Sequence, residues 1–206
     1  MPVARRIFLL SPASSGGERA ALVFSDRAQF DLAQRLRSPG GAPLGEVFTF
    51  LSGLYFRGKL AYATAFARPP RGVPGVLVIT PTRGLLLPEK PATLDLLREF
   101  AGVDVHASEA RYREPLERDT RLLAGRLPPD AEVVLLGSVA TGKYVDVLAT
   151  VFGDRLRFPA EFVGRGDMSR GGLLLRCVRE RRELEYVPVA GASRHGPRPP
   201  RLPRSR

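Results

Sequence analysis

Cysteine, histidine, lysine and long apolar runs are all scarce in this sequence, and each scarcity removes a class of protein. A single cysteine, Cys177, rules out an internal disulfide framework and fits a reducing compartment. His106 and His195 are the only histidines, too few for the clustered ligands of a zinc site, so no metal and no cofactor is expected. No apolar run approaches the roughly 18 to 20 residues that cross a bilayer. The opening stretch has only Ile7–Leu10 as a continuous apolar core, short of the roughly 7 to 15 residues of a secretory signal. A cytoplasmic chain with no membrane partner is the expectation.

What is abundant is arginine. The formal net charge is +11, and of the 32 basic residues only Lys59, Lys90 and Lys143 are lysines. Such a surplus favours polyanions through counterion release. With the high Ala, Gly, Pro and Leu content it equally fits GC-rich codon usage. Part of the charge sits in residues 190–206, rich in proline and arginine and without an acid. That composition buries too little apolar surface to offset ordering, so a flexible basic tail is expected after a single domain over residues 1–189.

Within the body, short apolar runs alternate with helical spacing. Strands are expected at Arg6–Leu10, Val76–Thr80, Glu132–Leu136 and Arg155–Phe158, each bounded by turn formers. Helices are expected at Asp26–Arg37 with Ser25 as N-cap, at Tyr55–Ala67, at Leu94–Ala101 capped by Thr93, at Pro115–Leu127 and at Thr141–Phe152. The Gly171-Gly172 pair disfavours a continuous helix. The stretch after it, LLLRCVRERRELEYVPV, reads as a C-terminal β-hairpin turning near Arg179–Arg182. This alternation points to an α/β fold, a mostly parallel or mixed central sheet flanked by helices. Sites in such folds lie beyond the carboxyl ends of the strands. Here those ends lead into Ser11–Gly17, Pro81–Pro91, Gly137–Thr141 and Pro159–Gly172.

Two of these loops carry candidate chemistry. Gly137–Tyr144 (GSVATGKY) has the G-x-x-x-x-G-K spacing of a phosphate-binding loop, with Ser138, Thr141 and Lys143 as anion contacts. Tyr144 stands where a magnesium-binding Ser or Thr belongs, so an anion site or a plain strand-to-helix turn fits better than a triphosphatase. In Phe162–Gly172, Arg165, Ser169 and Arg170 are candidates to grip a phosphate, with Asp167 or Glu161 as acid or base. The alternative is a surface turn in which Asp167 pairs with an arginine. Ser11 joins the set as a ligand contact after the first strand. Phe48–Tyr62 interleaves aromatics with Arg57 and Lys59; with Arg83 these are candidate nucleic-acid contacts. An amphipathic core helix with a basic rim is the alternative.

Several blocks in order resemble the YaaA peroxide-stress family: Ile7–Ala13 (IFLLSPA), Phe50–Leu54 (FLSGL), Val78–Pro88 (VITPTRGLLLP), Val134–Tyr144 (VLLGSVATGKY) and Gly164–Arg170 (GRGDMSR). Together they cover about a fifth of the chain. The resemblance implies a mixed α/β fold, a cytoplasmic bacterial protein, DNA binding and a stress-response role. Two functions are therefore carried forward. One is association with DNA or RNA through basic loops; the other is an enzyme acting on a small nucleotide or nucleobase compound at the sheet's carboxyl edge.

Overall fold

The protein is described by a computed structural model covering residues 4–200. Its sheet grows outward from β1 (Arg6–Leu10), every residue of which is buried. A run of large aliphatic and aromatic residues is what a strand covered on both faces requires. Each such side chain contributes roughly 2 kcal/mol by leaving water. Parallel neighbours flank β1 on both sides, β3 (Val76–Ile79) and β6 (Glu132–Leu136). Beyond β6 lies β7 (Leu156–Pro159), also parallel, and short antiparallel strands close both edges. These are β4 (Leu85–Leu86) on β3 and β8 (Tyr186–Pro188) on β7, giving the order β4-β3-β1-β6-β7-β8. The α/β fold with a mixed central sheet is thus present. A two-stranded ladder, β2 (Ala42–Pro43) with β5 (Pro91–Ala92), stands apart.

The helices are α1 (Glu18–Phe24), α2 (Asp31–Arg37), α3 (Leu44–Ser52), α4 (Leu54–Phe66), α5 (Leu94–Ala101), α6 (Ala110–Arg126), α7 (Gly142–Phe152) and α8 (Asp167–Glu180). Thr93 caps α5 as expected, its hydroxyl accepting from Leu96 N–H. Ser25 does not cap a helix at Asp26. It ends α1, its N–H donating to Ala21 O, and α2 begins only at Asp31. Pro115 does not open α6. Glu109 caps that helix, accepting from Arg111 N–H, and Pro115 lies inside it. The aromatic–basic segment is two helices, α3 and α4, broken at Gly53, which has φ of 59°.

The largest departure concerns residues 173–180, expected to be the first strand of a hairpin. They belong to α8, which runs unbroken through Gly171 and Gly172. A C-terminal antiparallel pair exists, but β7 supplies its first strand. The reason is a close helix contact. A Cβ on Gly171 would lie 2.7 Å from Leu54 O and 2.8 Å from Tyr55 Cα; one on Gly58 would lie 2.7 Å from Gly171 O. Here glycine's cost in helix propensity is offset by backbone-to-backbone approach of α4 and α8.

Among the described residues no helix is long and apolar enough to cross a membrane. Residues 192–200 hold neither helix nor strand, and the Gly196–Pro197 backbone lies against Val163 and Gly164. The expected tail arginines Arg201, Arg204 and Arg206 lie outside the described residues.

Candidate functional site

The crossover from β1 to β3 runs to one side of β1, and the chain then passes to β6 on the other side. Diverging crossovers leave a crevice at the carboxyl ends of the strands, where ligands of open α/β sheets bind. A cavity of about 600 Å³ lies there. The loop after β1 lines it from Ser11 to Gly16, the end of β3 adds Pro81, the loop after β6 adds Ser138, and α7 adds Lys143 and Tyr144. Tyr55 of α4, Asp167 at the start of α8, and Asp104 after α5 complete the wall. All four loops singled out by the strand pattern therefore meet, and Ser11, Ser138, Lys143 and Asp167 share one space.

Lys143 and Tyr144 sit in the first turn of α7, and Asp167 opens α8. Both helices thus direct their N-terminal, partially positive ends to the cavity. Thr141 occupies the N-cap position of α7 but forms no capping bond through its side chain, and it does not line the cavity. The Lys143 ammonium stands 5.2 Å over the Tyr144 ring, and Tyr112 Oη donates to Lys143 O at 2.8 Å. Two hydroxyls of the wall, Ser15 Oγ and Tyr55 Oη, are buried without a hydrogen-bond partner. Arg170 is near enough to Tyr55 to favour its phenolate, yet burial dominates and pushes the phenol up. Burial likewise raises Tyr144, opposed by the neighbouring Ser11 hydroxyl. Leaving a buried hydroxyl without a partner costs about 1 to 3 kcal/mol, a penalty a polar ligand removes.

Under the floor lies Lys59 of α4, which is 1% exposed. Its Nζ is 2.6 Å from Ser11 O and 2.8 Å from Ser11 Oγ, and it stands 4.5 Å over the Tyr55 ring and 4.9 Å over the Phe56 ring. Burial pushes the ammonium down to about 7; Asp167 opposes this, while Arg170 and Lys143 add to it. The expectation that Lys59 meets nucleic acid is corrected: no phosphate reaches a side chain this deep. The spacing carried the signal. Lys59 lies four residues after Tyr55, three after Phe56 and three before Tyr62, on the helix's apolar face.

The remaining candidates lie elsewhere. Arg170 is buried, its guanidinium donating to Phe162 O at 3.0 and 3.3 Å and lying 5.3 Å over the Phe162 ring. It braces the loop before α8 and does not line the cavity; it also pairs with Asp167 Oδ1 at 3.5 Å, the arginine pairing expected as the alternative for this loop, and its charge reaches Tyr55 and Lys59. Arg165 donates to Ser169 Oγ at 3.2 Å, and neither lines the cavity. Glu161 lies in a short 3-10 turn outside the cavity wall, where its charge, after burial itself, helps raise the Cys177 thiol. Arg57 is exposed on α4, away from the wall, and Arg83 is exposed and ion-paired with Glu99 at 2.6 Å. Sequence reasoning missed Ser15, Tyr55 and Tyr144, which by spacing alone resemble loop or core residues. Among the described residues no group of three His, Cys, Asp or Glu side chains is placed to hold a metal ion.

Compared with family models, with curated proteins and with solved structures, the chain matches none.

Proposed function

We propose that the chain is a cytoplasmic α/β enzyme that binds a small nucleotide or nucleobase compound in the cleft at the carboxyl edge of its sheet. One observation carries the reading: the loops after β1 and β6 and the start of α8 bring Ser11, Ser138, Lys143 and Asp167 to one cavity, which Pro81 from the loop after β3 also lines and whose wall holds two buried hydroxyls without partners. Two helix N-termini and Lys143 suit the phosphate. Asp167 and the two hydroxyls suit sugar or base donors and acceptors. The test is thermal unfolding of the whole chain with nucleosides, nucleoside mono-, di- and triphosphates, and inorganic phosphate. A ligand at about a hundred times its Kd adds about 2.7 kcal/mol, a rise in Tm of roughly 5 to 10 °C at this chain length. Lys143→Ala removes most of the shift for phosphorylated ligands; an undiminished shift in that variant overturns the placement.

Association with nucleic acid, with the stress-response role that the YaaA resemblance implies, draws less support. It rests on the net charge of +11. Of its three named contacts, Lys59 is buried and Arg83 is paired, leaving Arg57 on the surface. Arg35, Arg68, Arg98, Arg111, Arg118 and Arg121 are also in ion pairs. Binding to DNA or RNA that weakens steeply with salt and survives deletion of residues 190–206 would reinstate it.

A further inference from the structure

The geometry points to Ser11 and Lys59 as a nucleophile and its base, with the nucleotide-like ligand of the cleft carrying an acyl ester that is cleaved through Ser11 Oγ. The inference rests on the cleft being a ligand site and adds the reaction class.

Among the described residues Ser11 is the one cavity-lining serine hydrogen-bonded to an amine. The 2.8 Å separation from Lys59 Nζ is the reach a general base needs. The second contact, from Nζ to Ser11 O at 2.6 Å, orients the amine. A neutral amine has one lone pair and two N–H groups. It can accept from Ser11 Oγ–H while donating to Ser11 O, and both recorded distances fit that state. No histidine lines the cavity, so the usual partner of a nucleophilic serine is replaced by this lysine.

The groups facing Lys59 explain why the amine is available. Tyr55 and Phe56 from its own helix enclose it, Asp167 and Arg170 act from α8, and Lys143 acts from α7. Burial with two cations nearby outweighs the one carboxylate, so a substantial fraction is neutral near pH 7. Tyr55, held protonated by burial, and Ser15 remain as O–H donors without partners in the same wall, suited to an oxygen gaining charge.

The step balances within the site. Ser11 Oγ bonds to the acyl carbon as its proton passes to Lys59 Nζ. The tetrahedral intermediate collapses, the bond from acyl carbon to ester oxygen breaks, and that oxygen takes the proton from the Lys59 ammonium and leaves as an alcohol. Water, the co-reactant, then attacks the acyl-serine and gives its proton to Lys59. The bond to Ser11 Oγ breaks, Oγ recovers that proton, and the carboxylic acid departs.

The test is reaction of the full chain with a fluorophosphonate probe, followed by intact-mass and peptide mapping. One label per chain is expected, on Ser11, with a rate that rises through pH 7 as Lys59 loses its proton. Ser11→Ala abolishes labelling. Lys59→Met, checked for folding by circular dichroism, slows it by at least about 100-fold. No label on the folded wild-type chain, a label mapping to another residue, or a rate independent of pH between 6 and 9 overturns the assignment; none of the three needs a variant to fold. Nucleotide-induced stabilisation without labelling leaves the cleft reading intact and removes the dyad. Labelling of Ser11 without any nucleotide response does the reverse.

Discussion

Two cations are buried at opposite ends of the same strand, and the fold treats them differently. Arg6 opens β1. Its Nε is 2.8 Å from Glu132 Oε2, Glu183 takes another of its N–H groups, and its guanidinium lies 4.4 Å over Tyr186. Burial alone would lower its affinity for the proton, but the bond to Glu132 and the charges of Glu183 and Glu132 outweigh it and raise it. Glu132 also serves Arg157 at 3.1 Å, and Glu183 serves Arg68 at 2.9 Å. Beyond the other end of β1, Lys59 has no carboxylate in hydrogen-bond contact, only the neutral oxygens of Ser11 and the faces of Tyr55 and Phe56. One cation is surrounded by carboxylates that neutralise it. The other is held so that its charge is negotiable. Closed networks of the first kind serve stability; groups left in the second condition mark sites where a proton is to move.

The Arg6 cluster is where a single substitution is expected to act most strongly. Glu132→Ala strips a carboxylate from two cations, and loss of one partner of a buried pair leaves an uncompensated charge. It is expected to lower unfolding free energy by about 3 kcal/mol in urea titrations while leaving any ligand response of the cleft unchanged. A loss below about 1 kcal/mol would mean the cluster is solvated and no more than a surface feature.

Next is the pH dependence of stability. In the folded chain Lys59 titrates near 7, and in the unfolded chain near the ordinary lysine value of about 10.4. Between those values the unfolded chain holds a proton that the folded chain lacks, so stability climbs with pH across the window and is lowest below 7. The expected gain from pH 7 to pH 9 is about 2 kcal/mol by denaturant unfolding, and Lys59→Met lacks it. An identical slope in both proteins would show that the amine keeps its proton.

A pair of glycine substitutions sharpens the contrast further. Gly171→Ala forces a methyl against the backbone of α4 and is expected to cost about 1 to 2 kcal/mol, and to weaken ligand binding because α8 carries Asp167. Gly125→Ala in α6 meets nothing within 4 Å and is expected to add about 0.5 to 1 kcal/mol.

The central strands were legible because nothing competes with their apolar runs: Arg6–Leu10 and Glu132–Leu136 have the bounds expected from sequence. Convergence of the four loops followed from the rule for parallel sheets once those strands were in place. What stayed illegible depends on contacts distant in the chain. The two glycines in α8 look like a break until Leu54 and Tyr55 are known to lie against one of them. Lys59 looks like a basic rim until α8 covers it. Arg170 has the chemistry to grip an anion and instead divides its donors between Phe162 O and the Asp167 carboxylate. Ser15 and Tyr55 show themselves only as oxygens without partners, a property no local pattern encodes.

The place of β1 also bears on how the chain reaches this state. It pairs on both sides, with β3 and with β6, and Arg6 is 126 residues from its partner Glu132. During synthesis the greasy RIFLL segment must therefore wait for more than half of the chain before its second edge is covered. The helix that buries Lys59 arrives later still. A nascent chain of this kind exposes a strand edge primed for intermolecular pairing until β6 has been made.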